Sequence, residues 1–396
     1  MKLRTISNVS IKGKRILLRI DINAAVYKGK PLDEPRFKAH AETISFLSRK
    51  GGKVVVIAHQ GRKGGKDFIA NLKEHAKILE KYSKRKIRYV DDLFGNKSLN
   101  KIQKMKNGEV VLLRNTRDYS DEKDLNNKKN RFIEFSKNFD IYVNDAFSVS
   151  HRAQASLVIP PRIIPSYAGP VLYEEFSSLK KFKEKEHKKM LLIFGGAKIE
   201  DYTPLIEKVK NKKTTIVAGG VLGDLILCNT GVRLGYEEQW LRKEGHFKLL
   251  KKIKKILDKN KKKIFPPIDV AVKKRQRKEI SIGEFPNKEK IMDIGSKTIK
   301  LFKEKIKDSE VVLMKGPLGF SEIPRFQKGT VEILKEISRE TKKGKIYSLI
   351  GGGHLTTTIQ KEKIKNNFSH ISLSGGALIM FLSGGKLPGL EAIKKV

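Results

Sequence analysis

Short apolar runs alternate with longer amphipathic stretches from one end of this chain to the other. That alternation limits the folds open to it more than any other feature. In the first half the runs are Ile16 to Ile20, Val54 to Ala58, Ile87 to Val90, Val110 to Leu113 and Ile141 to Val143. In the second they are Met190 to Phe194, Thr215 to Ala218, Val311 to Met314, Ile346 to Ile350 and His370 to Leu373. Strands of a parallel sheet are buried on both faces and read as nearly continuous apolar runs, and the helices between them serve as crossovers. Ligands of such sheets collect beyond the carboxyl ends of the strands.

Each half has enough runs for a sheet of its own. The expected fold is therefore α/β, with two doubly wound parallel-sheet (Rossmann-like) domains. The stretch from Ala168 to Lys189 separates them. There Leu172, Phe176, Leu179 and Phe182 recur at helical spacing, and Lys180 through Lys189 is dense in charge. This predicts a connecting helix whose apolar stripe touches both halves. The expected bounds are 1–168, 169–189, 190–378 and a terminal segment, 379–396.

At 396 residues the chain is long enough for two or three domains, and its one cysteine, Cys228, rules out an internal disulfide. The opening Met1-Lys2-Leu3-Arg4-Thr5 lacks a signal-peptide apolar run, and no stretch approaches the about 20 apolar residues that span a bilayer. A cytoplasmic protein with no membrane partner is expected. The formal charge of +42 would draw in anionic metabolites, and at low salt nucleic acid as well. Its simplest reading is a bias towards lysine. Lys251, Lys252, Lys254, Lys255 and Lys259 follow helical spacing, as on a solvated face, and the run Lys259 to Lys263 is short. No nucleic-acid motif accompanies the charge.

Polar groups gather after the strands of the first half. Arg19-Ile20-Asp21-Ile22-Asn23 ends the first, and strand alternation would place its three polar residues on one face. Arg36 is expected in a loop after Pro35. His59-Gln60-Gly61-Arg62 ends the second, Arg117 follows Arg114-Asn115-Thr116, and Asn144-Asp145-Ala146-Phe147 leads to His151-Arg152. A lone arginine is ordinarily a surface residue. Several at the rim of one sheet would repel unless an anion sat among them, and guanidinium offers a two-pronged grip on carboxylate or phosphate.

These segments closely resemble the phosphoglycerate kinase family, which has an R-x-D-x-N strand end, a loop arginine, an S-H-x-G-R turn, an L-L-E-N-x-R segment and an N-D-A-F signature. The resemblance implies that Asp21, Asn23, Arg36, His59, Arg62, Arg117 and Arg152 bind 3-phosphoglycerate, making 1–168 the acid-substrate domain. Arg114 stands where the family usually has Glu.

Glycines end the strands of the second half: Gly195-Gly196-Ala197-Lys198, Gly219-Gly220, Gly316-Pro317-Leu318-Gly319, Gly351-Gly352-Gly353 and Gly375-Gly376. Backbone N–H groups there can approach phosphate oxygens, aided by the helix N-termini that follow. None fits the G-x-x-x-x-G-K-S/T loop. The same clusters occur in the same order in phosphoglycerate kinases, as do Asp293-Ile294-Gly295-Ser296-Lys297-Thr298, Phe326-Gln327-Lys328-Gly329-Thr330 and Gly385-Lys386-Leu387-Pro388-Gly389. By this resemblance Gly195, Gly196, Gly219, Gly220, Pro317 and Glu322 line the adenosine site of a nucleotide-binding domain, 190–378. Gly351, Gly352, Gly353 and Lys198 face the phosphates. Residues 379–396 return to the first domain.

Departures from the family cluster in the second half. A second lysine is replaced by Tyr202, and the usual G-G-G-D-T reads Gly351-Gly352-Gly353-His354-Leu355. The usual N-G-P reads Lys315-Gly316-Pro317, and S-T-G-G-G-A becomes Ser372-Leu373-Ser374-Gly375-Gly376-Ala377. His354 in place of a carboxylate suits magnesium poorly, since that ion prefers oxygen ligands. The metal ligands stay open, with Mg2+ expected to arrive on the nucleotide.

The function implied is reversible phosphoryl transfer between 1,3-bisphosphoglycerate and ADP by domain closure. Arg36 and Lys198 would stabilise the migrating group, helped by backbone N–H groups at Gly353 and Gly376. Two alternatives stand beside it. One is a non-catalytic relative that binds phosphorylated ligands, prompted by Tyr202, His354, Leu355 and Lys315. The other is a basic polyanion-binding protein, prompted by charge alone.

Overall fold

The computed structural model describes residues 3–32, 35–209, 212–260, 263–273 and 275–394. It divides into two compact units, Met1–Ser177 together with Gly384–Val396, and Ser178–Ser383. The strands of the first unit are β1 (Arg15–Arg19), β2 (Val26–Tyr27), β3 (Lys30–Pro31), β4 (Lys53–Ile57), β5 (Ile87–Val90), β6 (Val110–Leu113), β7 (Ile141–Asn144) and β8 (Ser166–Ala168). All but the β2–β3 hairpin form one parallel sheet in the order β5-β6-β4-β1-β7-β8. Its central residues are buried on both faces: Ile16, Leu18 and Val54 on one, Leu17, Val55 and Tyr142 on the other. Arg19 pairs with both Ile57 and Asn144, so three central strands leave the sheet at one level.

The helix Pro35–Arg49 buries Phe37, Ala41, Ile44 and Leu47. Phe37, Ile44 and Leu47 each contribute about 1.5–3 kcal/mol by leaving water. Arg36 was expected in a loop and instead lies in the first turn of this helix. Proline tolerates the first helical position because that N–H has no helical partner. The expected alternation of Arg19, Asp21 and Asn23 also fails, because β1 ends at Arg19.

The strands of the second unit are β9 (Met190–Phe194), β10 (Thr214–Ala218), β11 (Ile264–Phe265), β12 (Asp269–Lys273), β13 (Arg277–Ser281), β14 (Ile291–Ile294), β15 (Val311–Lys315), β16 (Tyr347–Gly351) and β17 (His370–Ser372). Six make a parallel sheet in the order β11-β10-β9-β15-β16-β17, and β13-β12-β14 is a separate antiparallel sheet. Phe194 is level with Ala218 and Lys315, and Lys315 with Gly351, which is level with Ser372. The glycine clusters therefore leave one edge of one sheet.

The helix predicted between the halves spans Pro170–Glu184, and Leu172, Phe176, Leu179 and Phe182 are all buried. Lys251, Lys254 and Lys255 are exposed as their spacing implies, while Lys261 and Lys262 lie outside the described residues. Gly389 belongs to the first unit, where its N–H donates to the Ser150 carbonyl at 2.9 Å and its carbonyl accepts from Asn144 Nδ2 at 3.1 Å. The expected terminal segment ends in residues 395–396, outside the described ones. No described helix is long and apolar enough to cross a membrane.

Candidate active site

In the first unit the loops after β1, β4, β6 and β7 converge on a basic cluster. Arg19 is fully buried at its base. Its Nη1 donates to the Ile20 carbonyl, Nε to Ser156 Oγ at 3.1 Å, and Nη2 lies 3.1 Å from His59 Nδ1. Ser156 in turn donates to buried Glu122 by its hydroxyl at 2.8 Å and its backbone N–H at 3.0 Å. Burial raises the Glu122 carboxyl, although Arg19 and those hydrogen bonds oppose the rise. His59 is held neutral, well below the ordinary histidine range, by burial and then by the positive field of Arg19, against the pull of Asp21.

Asp21 accepts from Arg36 Nη1 at 2.7 Å, from the Asn23 N–H at 3.0 Å and from Ser148 Oγ. Burial alone would raise its carboxyl. Arg36, His59, Ser148 and that N–H outweigh burial and hold it far below the usual range. Asn23 Oδ1 accepts the Gly61 N–H at 2.7 Å, which ties the loop after β1 to the turn after β4. Gly61 has φ +67°, and a side chain there would meet the Asp67 carbonyl oxygen at 2.3 Å. Buried Gln60 bonds Ala24 through both ends of its amide.

Arg117 Nη1 donates to the Gly61 carbonyl at 2.6 Å, while its buried Nη2 has no hydrogen-bond partner among the described residues. Burial, then Arg152 and Arg19, pull this guanidinium down to about 10. Arg152 is exposed, with Nε 3.2 Å from His151 Nε2, and Arg62 is exposed as well. The cluster thus carries more positive than negative charge around an unsatisfied buried donor, which is the chemistry of an anion site. Arg114 plays another part. It pairs with Asp118 at 2.7 Å and Asp91 at 2.6 Å, so its charge is neutralised within the fold.

The signature residue Asp145 anchors the framework. It accepts from Thr43 Oγ1 at 2.7 Å and the Val171 N–H at 2.8 Å, and lies 3.0 Å from His40 Nδ1. His40 Nε2 accepts the Asp21 N–H at 3.3 Å, which assigns the proton to Nδ1, facing Asp145.

In the second unit a cavity of about 440 Å³ opens at the glycine edge of the sheet. Gly195, Gly196, Lys198, Gly220, Pro317, Glu322, Gly351, Gly352 and Gly353 all line it, whereas Gly219 and Gly376 are not among its lining residues. Gly219 packs behind, where a Cβ would meet Leu318 at 2.8 Å. Gly376 begins the helix Gly376–Leu382 after β17. Gly195 cannot carry a side chain, since a Cβ would lie 2.2 Å from the Pro317 carbonyl oxygen. Asp293 fixes the far wall by accepting the Gly329 N–H and Arg277 Nη1. Burial lifts its carboxyl to about 6 against those bonds.

Two cations face this cavity. Lys198 is exposed at its mouth, and Lys315 is buried at the end of β15 with its ammonium 3.9 Å from Asp201 Oδ2. Burial lowers the Lys315 pKa, Asp201 resists, and Lys198 lowers it further. Tyr202 stacks on Phe194, ring centroids 4.5 Å apart, and is an apolar wall where a second lysine was the family pattern. His354 is exposed with Nδ1 3.0 Å from Glu322 Oε1. No three His, Cys, Asp or Glu side chains converge as a cation site among the described residues. The carboxylates among the cavity's lining residues are Asp201, Asp224, Glu237, Asp293 and Glu322.

Sequence reasoning missed the supports: Arg19 with Glu122 and Ser156, the Ser148 hydroxyl on Asp21, and Asp224, Glu237 and Trp240 in the cavity wall. Asp224 did carry a signal, as a lone acid within the apolar stretch Val221-Leu222-Gly223-Asp224-Leu225-Ile226-Leu227. The others become visible only when distant segments meet.

The family model for phosphoglycerate kinase matches residues 6–385. The phosphoglycerate kinase of Sulfurisphaera tokodaii is 38% identical, over 99% of this chain and 96% of its own length. That of Archaeoglobus fulgidus is also 38% identical, over 99% and 97%. Among solved structures, phosphoglycerate kinase from Pyrococcus horikoshii superposes with a TM-score of 0.91 at 31% identity, covering 99% of this chain and 98% of that one.

Proposed function

This chain belongs to the phosphoglycerate kinase family and transfers a phosphoryl group reversibly between 1,3-bisphosphoglycerate and ADP, and we propose that its basic cluster holds the acid while its glycine-lined cavity holds the nucleotide. The observation that carries the assignment is Arg117: a buried guanidinium with an unpaired N–H, among Arg19, Arg152 and neutral His59. A carboxylate or phosphate would supply the missing acceptor and the missing charge. Asp21, Asn23 and His59 shape the pocket, and Arg36, Arg62, Arg117 and Arg152 neutralise the ligand.

Phosphoryl transfer asks mainly for alignment and charge neutralisation. Arg36 and Lys198 would stabilise the group in transit, with backbone N–H groups at Gly353 and Gly376 assisting. Lys315 adds a second cation and Glu322 an acceptor for ribose hydroxyls. Magnesium, held through nucleotide oxygens with Asp201 beside it, would neutralise phosphate charge. Acid and nucleotide groups belong to different units, so the bound ligands must be brought into line, with water kept from the acyl phosphate. A reducing cytoplasm suits the single, free Cys228 thiol.

The test is turnover of ATP and 3-phosphoglycerate in a coupled assay with magnesium titrated. A folded protein that binds both ligands and turns over neither would leave the non-catalytic reading in its place. The acid site carries its own expectation. Sulfate should inhibit more than chloride at matched ionic strength and raise the KM for 3-phosphoglycerate, since a divalent anion competes among the arginines. Screening alone acts over roughly 10 Å at about 0.1 M salt and depends on ionic strength. Equal inhibition by the two salts would remove the arginine-lined pocket from the account.

A further inference from the structure

The phosphate-facing groups account for only part of the cavity. The rest is apolar, lined by Val221, Pro267, Val270, Ile291 and Met292, with Asp224, Glu237 and Trp240 among them. Asp224 is 5% exposed and makes no hydrogen bond or ion pair among the described residues. Glu237, 2% exposed, accepts the Ile291 N–H at 2.9 Å. Lys290 Nζ sits 3.9 Å from the Trp240 ring centroid. Burial, then the neighbouring Glu237, raise the Asp224 carboxyl well above its ordinary range, with Lys290 opposing. Burial lifts Glu237 to about 7, against the Ile291 N–H and Lys290.

An unpaired carboxyl in an apolar wall costs several kcal/mol unless something donates to it or it takes a proton. It therefore favours a ligand that brings N–H groups into that wall. We propose that Asp224, beside Glu237, reads the nucleobase by accepting a hydrogen bond from the exocyclic amine of adenine. Trp240 and the apolar side chains close around the ring. The assignment rests on the cavity being the nucleotide site, and it makes this chain selective for a 6-amino purine where a purely apolar slot would accept any purine of that shape.

The probes are ATP and ITP, which share ribose and triphosphate and differ at the purine 6-position. Leaving a buried acceptor without its donor costs about 1–3 kcal/mol, so the wild-type KM for ITP should exceed that for ATP by roughly 5- to 100-fold. Asp224→Leu should bring the two within about twofold of each other, chiefly by weakening ATP, while ITP affinity stays near its wild-type value. Asp224→Asn keeps an acceptor oxygen and should retain part of the preference, which guards against a folding defect in the leucine variant. Equal KM values in the wild type, or a preference that survives in Asp224→Leu, would overturn the inference and leave the nucleotide site standing. Failure of the wild type to bind either nucleotide would overturn both.

Discussion

Arg36→Ala should lower kcat by about 10²–10³-fold, the usual loss when a preorganised donor to transition-state charge is removed. Two observations motivate it. Arg36 stands in the first turn of a helix and is tied to Asp21 at 2.7 Å, so its guanidinium is pre-positioned. It is also partly open, 19% exposed, so it can reach a ligand as the deeply buried Arg19 cannot. The variant should remain folded. Asp21 keeps Ser148 and the Asn23 N–H, so the lost ion pair costs about 1–3 kcal/mol and moves Tm by only a few degrees. Circular dichroism, Tm and steady-state kinetics on one preparation decide the matter. Near-normal turnover in a folded variant would take Arg36 out of the chemistry.

Lys198→Ala should cut kcat by about 10²-fold with a smaller change in the KM for ATP, since a charge that meets the phosphoryl group in transit acts on the transition state. Lys198 is exposed at the cavity mouth with no ion pair among the described residues, so stability should move by less than about 0.5 kcal/mol. Lys198→Arg should recover part of the rate. The rival outcome is a raised KM with kcat unchanged, which would make Lys198 a ground-state binding group and shift the catalytic load towards Lys315.

The strands that carry these residues could be read from the chain because their apolar runs are long and their burial is complete. Val110–Leu113 and Met190–Phe194 were expected and observed with the same bounds. The elements that escaped notice lack that signal. Ser166–Ala168 is three residues without a β-branched side chain, and Arg277–Ser281 carries Arg, Lys and Glu. The latter is a strand because β12 pairs with it antiparallel, and an antiparallel strand can keep one face in water. Arg36 was misplaced for a related reason. The proline before it signals a break in the chain, and only the packing of Phe37 and Ala41 turns that break into a helix start.

Sequence alone determined the two-sheet α/β plan, the strand ends that bear function, and the family to which the basic and glycine-rich segments point. Those properties are local, written in runs of neighbouring residues whose burial or backbone freedom depends little on distant partners. Tertiary structure decided which charges survive. Arg114 and Arg117 are three positions apart, yet one is cancelled by Asp91 and Asp118 while the other keeps a buried, unpaired N–H. It likewise joined Arg19 to Ser156 and placed Asp224 and Glu237 in one cavity wall. The effect of a charge depends on its distance to other charges and on the water removed around it, and neither is set until the chain has folded.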